Sequence, residues 1–563
     1  MPKEREDIET KSSGSPEVYQ QTKFMAWFEK AFPWLLVGGA ALGLVLMIFL
    51  PVIFFQEKTA EQLLAQSNLR LALLYTTGGA IAALGLLETY RKNTNDRTKA
   101  NADINAALKN QEHQTKVLKE QIRQFDDNAF KERKAERRER YTKAVEQLGD
   151  EKAPIRMGGV YTLVGLVDEW LEEKSLSDDE RFKEGQVIIN NLCAYIRSPF
   201  TLASHYDELS NPTPTPEGIY KDKKEKFYAD KATLDSETDV RLSIIKEIHD
   251  RLQGPDKNTP GAWSDFEYDF SGSTFFYPID LTKSYYKKPV NFSGATYQGW
   301  AYFTGSTYQG GANFTDSTYQ GWANFRGSTY QAWANFTDST YKSEANFSDS
   351  TYQGGADFSG STYQGEAYFS GSTYQGGANF SGSTYQALAD FSSSTYKSGA
   401  NFNSSTYKSG ANFNSSTYGG DADFSRSIFY SKTYFGKDKY SNSSSCFTNR
   451  APQFYDKTNH KNTLFGSHNN DFTVDIDKGY PINLNSEGLP LGCKILTSEQ
   501  KEYLEYKFQE IEKIQNELFE VKDPKEKEEL LKKLQALNKE LYEWRGEATT
   551  VKVEGTAPEE KNN

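Results

Sequence analysis

Few residues in this chain have the types and spacing that chemistry needs. Cys193, Cys446 and Cys493 stand far apart, and His113, His205, His249, His460 and His468 match neither zinc-ligand nor catalytic spacing. The reading is therefore no metal, no cofactor and no catalytic residue. An odd cysteine count also suits a reducing compartment better than a disulfide framework. There is no glycine-rich phosphate loop and no serine–histidine–aspartate pattern. What remains is surface chemistry. Trp300 and Trp322 lie 22 residues apart, with Trp333 eleven further on. Tryptophans on a polar surface are the type that anchors a protein partner. Thr296, Thr307 and Thr318 recur at the same eleven-residue step. Evenly spaced threonines order water, as on ice-binding surfaces, or simply suit exposed strands and bond along their own column.

The element that must position these residues is a repeat. From Phe270 to Tyr440 an aromatic returns every eleven residues. One series includes Phe292, Phe303, Phe314, Phe325 and Phe336 and continues to Phe435. A second includes Tyr297, Tyr308 and Tyr319 and continues through Tyr418 and Phe429 to Tyr440. One unit reads Ala-Asn-Phe-Thr-Asp-Ser-Thr-Tyr-Gln-Gly-Trp, Ala312 to Trp322. Period-two alternation turns a small residue and an aromatic inward in each half and sends the polar residue between them outward. A single unit is too short to enclose both rings. Two units per coil make a four-sided tube, with Phe292, Phe314 and Phe336 as vertical neighbours. Each buried ring contributes on the order of 2 kcal/mol. Eight such coils give a solenoid roughly 40 Å long.

Ala356-Asp357-Phe358-Ser359-Gly360 resembles the pentapeptide repeat, Ala-Asp/Asn-Leu-x-x. The resemblance implies a right-handed quadrilateral β-helix over residues 266–445. The chain departs from the pattern by using Phe and Tyr in the core and by adding one residue in every second unit. The extra residue bears on the corner geometry, and the tyrosine hydroxyls call for partners or an exit to water. Residues 138–262 read as a helical domain, and roughly residues 138–255 of it are similar to a helical segment found ahead of the repeats in bacterial membrane-anchored proteins of this family. The similar stretches are Tyr141 to Gly149, Ile155 to Leu163, Leu192 to Arg197 and Asp239 to Leu242. The likeness implies packed HEAT-like helices in which Arg156 makes an intramolecular salt bridge.

The chain has no charge from Ala31 to Phe55 and is apolar again from Leu71 to Leu87. These read as two transmembrane helices, 31–55 and 71–87, behind a cytoplasmic tail, 1–30. Lys3, Arg5, Lys11, Lys23 and Lys30 precede the first span; Arg91, Lys92, Arg97 and Lys99 follow the second; the connection holds Lys58 and Arg70. The positive-inside rule puts both termini in the cytoplasm, and the family likeness makes the membrane a bacterial inner membrane. Gly39 with Gly43, and Gly78 with Ala82, are small pairs suited to packing the spans together. A charged stalk, 92–137, carries a heptad seam of Ile104, Leu108, Gln111, Thr115, Leu118, Ile122 and Phe125, which suits either self-association or a solvated helix. Pro212, Pro214 and Pro216 mark a loop. Residues 446–494 read as a degenerate cap, in which Phe454 and Phe465 keep one last step. Residues 495–549 read as a helical hairpin broken at Asp523-Pro524, and 550–563 as a disordered tail.

Together these give a multi-domain membrane protein: a transmembrane helical hairpin and helical domain, then the β-helix, then a C-terminal helical hairpin. The expected function is a non-enzymatic scaffold or protein-binding module facing the cytoplasm. Its partners are the lipid bilayer, an unknown protein and, through the stalk or spans, a second copy of the chain. No nucleic acid is expected at a net charge of −12. The alternative is a DNA-mimicking modulator of a topoisomerase or other DNA-binding protein. Against it, eleven carboxylates between Phe270 and Tyr440 are balanced by eleven bases. An uncharacterised enzyme is the third class.

Overall fold

The computed structural model describes residues 16–55, 59–437, 443–521 and 524–550. The expectations for residues 1–15, Lys58, Asp438, Lys439, Tyr440, Asp523 and the tail from Val551 lie outside them. Residues 1–130 and 131–563 form two compact bodies.

In the first body, helix α1 (Pro16–Phe54) starts well ahead of the uncharged run, and α2 (Ala60–Leu148) carries the second apolar stretch and the charged stalk without a break. Both hold windows long and apolar enough to cross a membrane, and little of either window is buried. Of the three glycines proposed to pack the spans, only Gly43 makes a close approach: a side chain there would collide with Thr77. Gly39 and Gly78 face open space. Gln66 Nε2 donates to the Pro51 carbonyl at 3.2 Å, one of the last four carbonyls of α1, which have no partner within the helix.

The second body opens with a helical module. The end of α2 packs with α3 (Ala153–Leu171), α4 (Asp178–Arg197), α5 (Tyr206–Leu209) and α6 (Lys224–Leu252). Val160, Leu163, Val167, Ile189, Leu192, Ile244 and Ile248 fill the space between them. Ser177 and Glu180 form a capping box that starts α4. Arg137 Nη1 reaches Glu173 at 2.9 Å and its guanidinium lies 4.7 Å from the Trp170 ring. Burial alone would raise the Glu173 carboxyl. The Ser175 hydroxyl and the guanidiniums of Arg133 and Arg137 outweigh it and hold the group at about 2.

The repeats form a β-solenoid of about eight turns, with four parallel sheets as its sides. Side one begins at Tyr268–Asp269, side two at Thr274–Phe275, side three at Ile279–Asp280 and side four at Tyr285–Tyr286. From Tyr268 to Asn412 each two-residue strand pairs with the strand 22 residues on, as in Ala312↔Ala334 and Thr318↔Thr340. The Phe314 ring lies 5.0 Å from Phe292 and 4.9 Å from Phe336, within 6° of parallel to both. Tyr297 and Tyr319 stack at 4.6 Å, Phe303 and Phe325 at 4.8 Å, and Tyr308 and Tyr330 at 4.8 Å. Rings of adjacent sides meet edge to face, as Phe314 does with Phe325 at 5.1 Å, the arrangement the ring quadrupole favours.

The extra residue is absorbed at one kind of corner. After each phenylalanine the chain places one residue in the left-handed region: Gly294, Gly305, Asp316, Gly327, Asp338, Asp349, Gly360 and onward to Arg426, all at φ between 54° and 72°. Glycine takes this conformation without cost, and a short polar residue tolerates it. The serine that follows turns inward. Ser317 Oγ donates to the Phe292 carbonyl at 2.9 Å, and the Ser317 N–H donates to Ser339 Oγ at 3.3 Å. The corners are thus regular, and the serines bond coil to coil.

The stacked tyrosine hydroxyls have no exit to the surface. Tyr297, Tyr308, Tyr319 and Tyr341 are fully buried, and their hydroxyls make no well-formed hydrogen bond to protein among the described residues; the Tyr297, Tyr308 and Tyr341 hydroxyls lie beside those of Tyr319, Ser306 and Ser339. Burial pushes the Tyr341 phenol well above its ordinary value; the nearby Ser339 hydroxyl, already donating to the Phe314 carbonyl, opposes this only in part.

Both ends of the solenoid are covered. Trp263 and Phe266 carry the module's core onto the first coil, where Arg197 Nη1 meets Asp269 Oδ2 at 2.6 Å and Lys287 meets Asp265 at 2.7 Å. At the far end Phe447, Phe454 and Phe465 stack on Tyr418, Phe424 and Phe429 at 4.6, 5.2 and 5.0 Å, and Phe472 closes over Phe435. Helices α7 (Ser498–Glu520) and α8 (Pro524–Ala548) pack together through Tyr503 on Trp544 and Lys507 with Glu540. They lie along side two and its corner with side three. Phe508 meets Tyr430, Glu512 meets Lys408, Gln515 donates to Gln386, and Arg545 Nη1 donates to Thr406 Oγ1 at 3.2 Å.

Candidate functional site

Each coil has two corners of a second kind, three residues long, after the tyrosine. The third residue of such a corner points at solvent, and here the sequence varies. On the corner into side three these residues begin Trp300 and Trp322; on the corner into side one they run Gly311, Trp333, Gly355, Gly377, Gly399, Asp421. Sides one and three are opposite.

Trp300 is 56% exposed, Trp333 is 50% exposed and Trp322 is half-buried. The 22-residue spacing predicts that Trp300 and Trp322 stack on each other at one corner, with Trp333 at the opposite corner, but the two indoles are not in ring contact. Tyr302, an outward residue of side three, stands between them with ring centroids at 6.1 and 5.9 Å, edge-on to both. The next two coils carry Asn at this outward position, Asn324 and Asn346. The Trp322 indole N–H is buried there without a partner. The expected ledge is therefore a Trp–Tyr–Trp ladder with only its first indole well exposed.

Trp333 folds over Gly311, where any side chain would strike the indole. On its other flank three successive glycines remove the corner side chain. The result is a groove of about 580 Å³ running from Trp333 along Gly355, Gly377 and Gly399 to Asp421, with Ala356, Ala378 and Ala400 in its floor. Asp421 pairs with Arg450 at the far end. Outward Asn335, Asp357, Asn379 and Asn401 line one edge. They also brace the wall: Asp357 Oδ1 accepts from Ser359 N at 3.0 Å and from Asn379 Nδ2 at 3.1 Å. The three glycines are visible in the sequence at a 22-residue step, and sequence reasoning passed over them by following only the tryptophans. It also did not anticipate that α7 and α8 would cover side two.

The threonine columns are not uniformly free. Thr307 Oγ1 donates to the Lys257 carbonyl at 3.0 Å, and Thr406 lies under Arg545. Carboxylates are spread over the solenoid: Asp357 and Asp423 on side one, Asp280 and Asp390 on side three, and Asp316, Asp338, Glu344, Asp349, Glu366 and Asp421 at corners.

In the helical module, Glu237 joins three groups. Arg241 Nε reaches its Oε1 at 2.7 Å, and Arg156 Nη2 and the Tyr195 hydroxyl reach its Oε2 at 3.2 and 3.0 Å. Arg241 also donates to the Ile196 and Ser198 carbonyls, tying α6 to the end of α4. Burial, and next the Glu237 charge, push the Tyr195 phenol up to about 12. Arg156 lines a polar pocket of about 460 Å³ beside this cluster. Its guanidinium is already committed to Glu237 and to the Asp150 and Glu151 carbonyls, so its bonds are intramolecular. The three cysteines are buried and unpaired, and no metal-ligand cluster occurs among the described residues.

Residues 342–384, in the middle of the solenoid, match the family model described as pentapeptide repeats, in 9 copies. No curated protein and no solved structure matches the chain. The tube of stacked rings built from Tyr268 onward is a pentapeptide-repeat β-solenoid.

Proposed function

We propose that the chain is a non-enzymatic scaffold, held in a membrane by two helices and presenting the solenoid to the cytoplasm for a partner protein. The observation that carries this reading is the contrast between sides. The last coils of side two, from Gln386 to Tyr430, carry the chain's own C-terminal helices, read as an antiparallel hairpin, while the corner into side one is an open groove with a half-exposed indole at its head. An exposed tryptophan beside small residues is the setting in which one side chain supplies much of a binding energy.

Membrane anchoring rests on apolar surface that has no other use. Trp34, Val37, Phe49 and Ile53 of α1 and Leu74 and Leu86 of α2 are all exposed, which favours a lipid environment over a soluble helical core. The flanking lysines and arginines then orient both termini to the cytoplasm. DNA mimicry calls for one strongly acidic side, whereas the carboxylates here are divided between opposite sides and the corners, and Asp349 and Asp421 are neutralised by Arg326 and Arg450.

The test is capture of partners from detergent-solubilised membranes with the full chain and with a Trp333→Ala, Trp300→Ala variant. Loss of specific partners from the variant supports the reading; an unchanged partner set rejects it. A reporter fused after Asn563 that is active only in the exported compartment would contradict the orientation.

A further inference from the structure

We infer that residues 104–125 of α2 are the contact for a second copy of this chain, in a parallel, in-register two-stranded coiled coil. This goes beyond the partner reading and does not depend on it. The helix is unbroken through this stretch. Ile104, Leu108, Leu118, Ile122 and Phe125 are between 52% and 74% exposed. They occur at alternating steps of four and three together with Gln111 and Thr115. A lone solvated helix gives no reason for that alternation, whereas packing against a like helix requires it, because 3.5 residues per turn keeps one seam facing the partner.

Position by position, the seam has Leu108, Thr115 and Ile122 in one row and Ile104, Gln111, Leu118 and Phe125 in the other. A β-branched residue in the first row beside leucine in the second, as at Ile122 and Leu118, favours two strands. In-register pairing sets Gln111 against its own copy and Thr115 against its own copy, so the polar interruptions meet polar groups and fix the alignment. Residues flanking the seam permit this register: Glu112, Lys119 and Asp126 of one helix would face Ala107, Gln114 and Gln121 of the other, so no like charges oppose. The helix's own ion pairs lie off the seam. Arg123 reaches Glu120 at 2.6 Å and Asp127 at 3.6 Å across the back. Three heptads hold a pair weakly, so the contact responds to local concentration.

The experiment is zero-length disulfide cross-linking of the full chain in unfractionated lysate by copper phenanthroline. The three native cysteines are buried and serve as an unreactive background. Leu118→Cys should give at least about tenfold more dimer than His113→Cys, which sits at the position farthest from the partner in this geometry. Adding Ile122→Asp to Leu118→Cys should abolish the product. Since these positions are exposed, circular dichroism should show the helix content unchanged. Equal cross-linking at 113 and 118, no product at 118, or a product unaffected by Ile122→Asp would each overturn the proposal.

Discussion

Phe336 and Glu237 belong to the same compact body and are both buried, yet they are held in opposite ways. Phe336 touches rings of its own kind above and below, at 4.9 Å each, and an edge-on ring from the neighbouring side. Glu237 touches two guanidiniums and a phenol. The solenoid's interior is repetitive and largely apolar, with serine bonds running from coil to coil. The helical module is locked by a few charged groups, each serving several partners. The first arrangement spreads stability along the chain, and the loss of one unit is felt mainly by its neighbours. The second concentrates it, so that one residue or one pH step reaches several elements together.

The largest separation should come from Phe336→Ala. The ladder bonds on both sides prevent the coil from closing around the void, so the loss should be about 5 kcal/mol, read from denaturant unfolding followed by tyrosine fluorescence. Glu237→Gln should cost about 3 kcal/mol, because Arg241 and Arg156 then stay buried without their countercharge. Its effect should fall on the helical module, seen as faster amide exchange in α4 and α6 with the solenoid unchanged. If both regions loosened equally, the distinction between them would fail.

Acid should separate the regions next. The Glu173 carboxyl is held at about 2 in the folded chain against an ordinary 4.5. Its contribution is therefore fully present above pH 4.5 and is lost as pH falls toward 2. Between those values the module should loosen, and Glu173→Gln should remove that part of the pH dependence. The solenoid interior holds no ionised group, so its near-ultraviolet signal should hold through the same window.

The smallest effect is expected from Tyr341→Phe. This change removes a buried hydroxyl that makes no well-formed hydrogen bond to protein and keeps the stacked ring. Stability should stay level or rise by about 1 kcal/mol. A loss of comparable size would mean that the tyrosine hydroxyls are bonded after all.

Much of this architecture could be read in the sequence because the period is rigid. Residues at an eleven-residue step that alternate Phe and Tyr fix the number of sides, the two units per coil and the four stacks. The left-handed corner was harder to see. The position is Gly in some units and Asp, Ser or Arg in others, and only backbone geometry shows that all share one φ region. The Trp300–Trp322 spacing was correct and its consequence was not, because Tyr302 stands where the next two coils have Asn and intervenes. The placement of α7 and α8 on side two was illegible for a different reason. Their apolar faces predict burial, but nothing periodic in the sequence says against which side. The groove beside Trp333 is made by absent side chains, which a search for chemistry-bearing residues overlooks.

The central claim is that one circuit of the tube takes 22 residues, and a distance between two labels tests it directly. Gln309 and Lys397 are exposed, share one corner and are four coils apart. Spin labels on Gln309→Cys and Lys397→Cys in the full chain should show an electron–electron distance of about 19 Å, four strand spacings. A distance near 38 Å, the value for one unit per coil at the same spacing, would contradict the account.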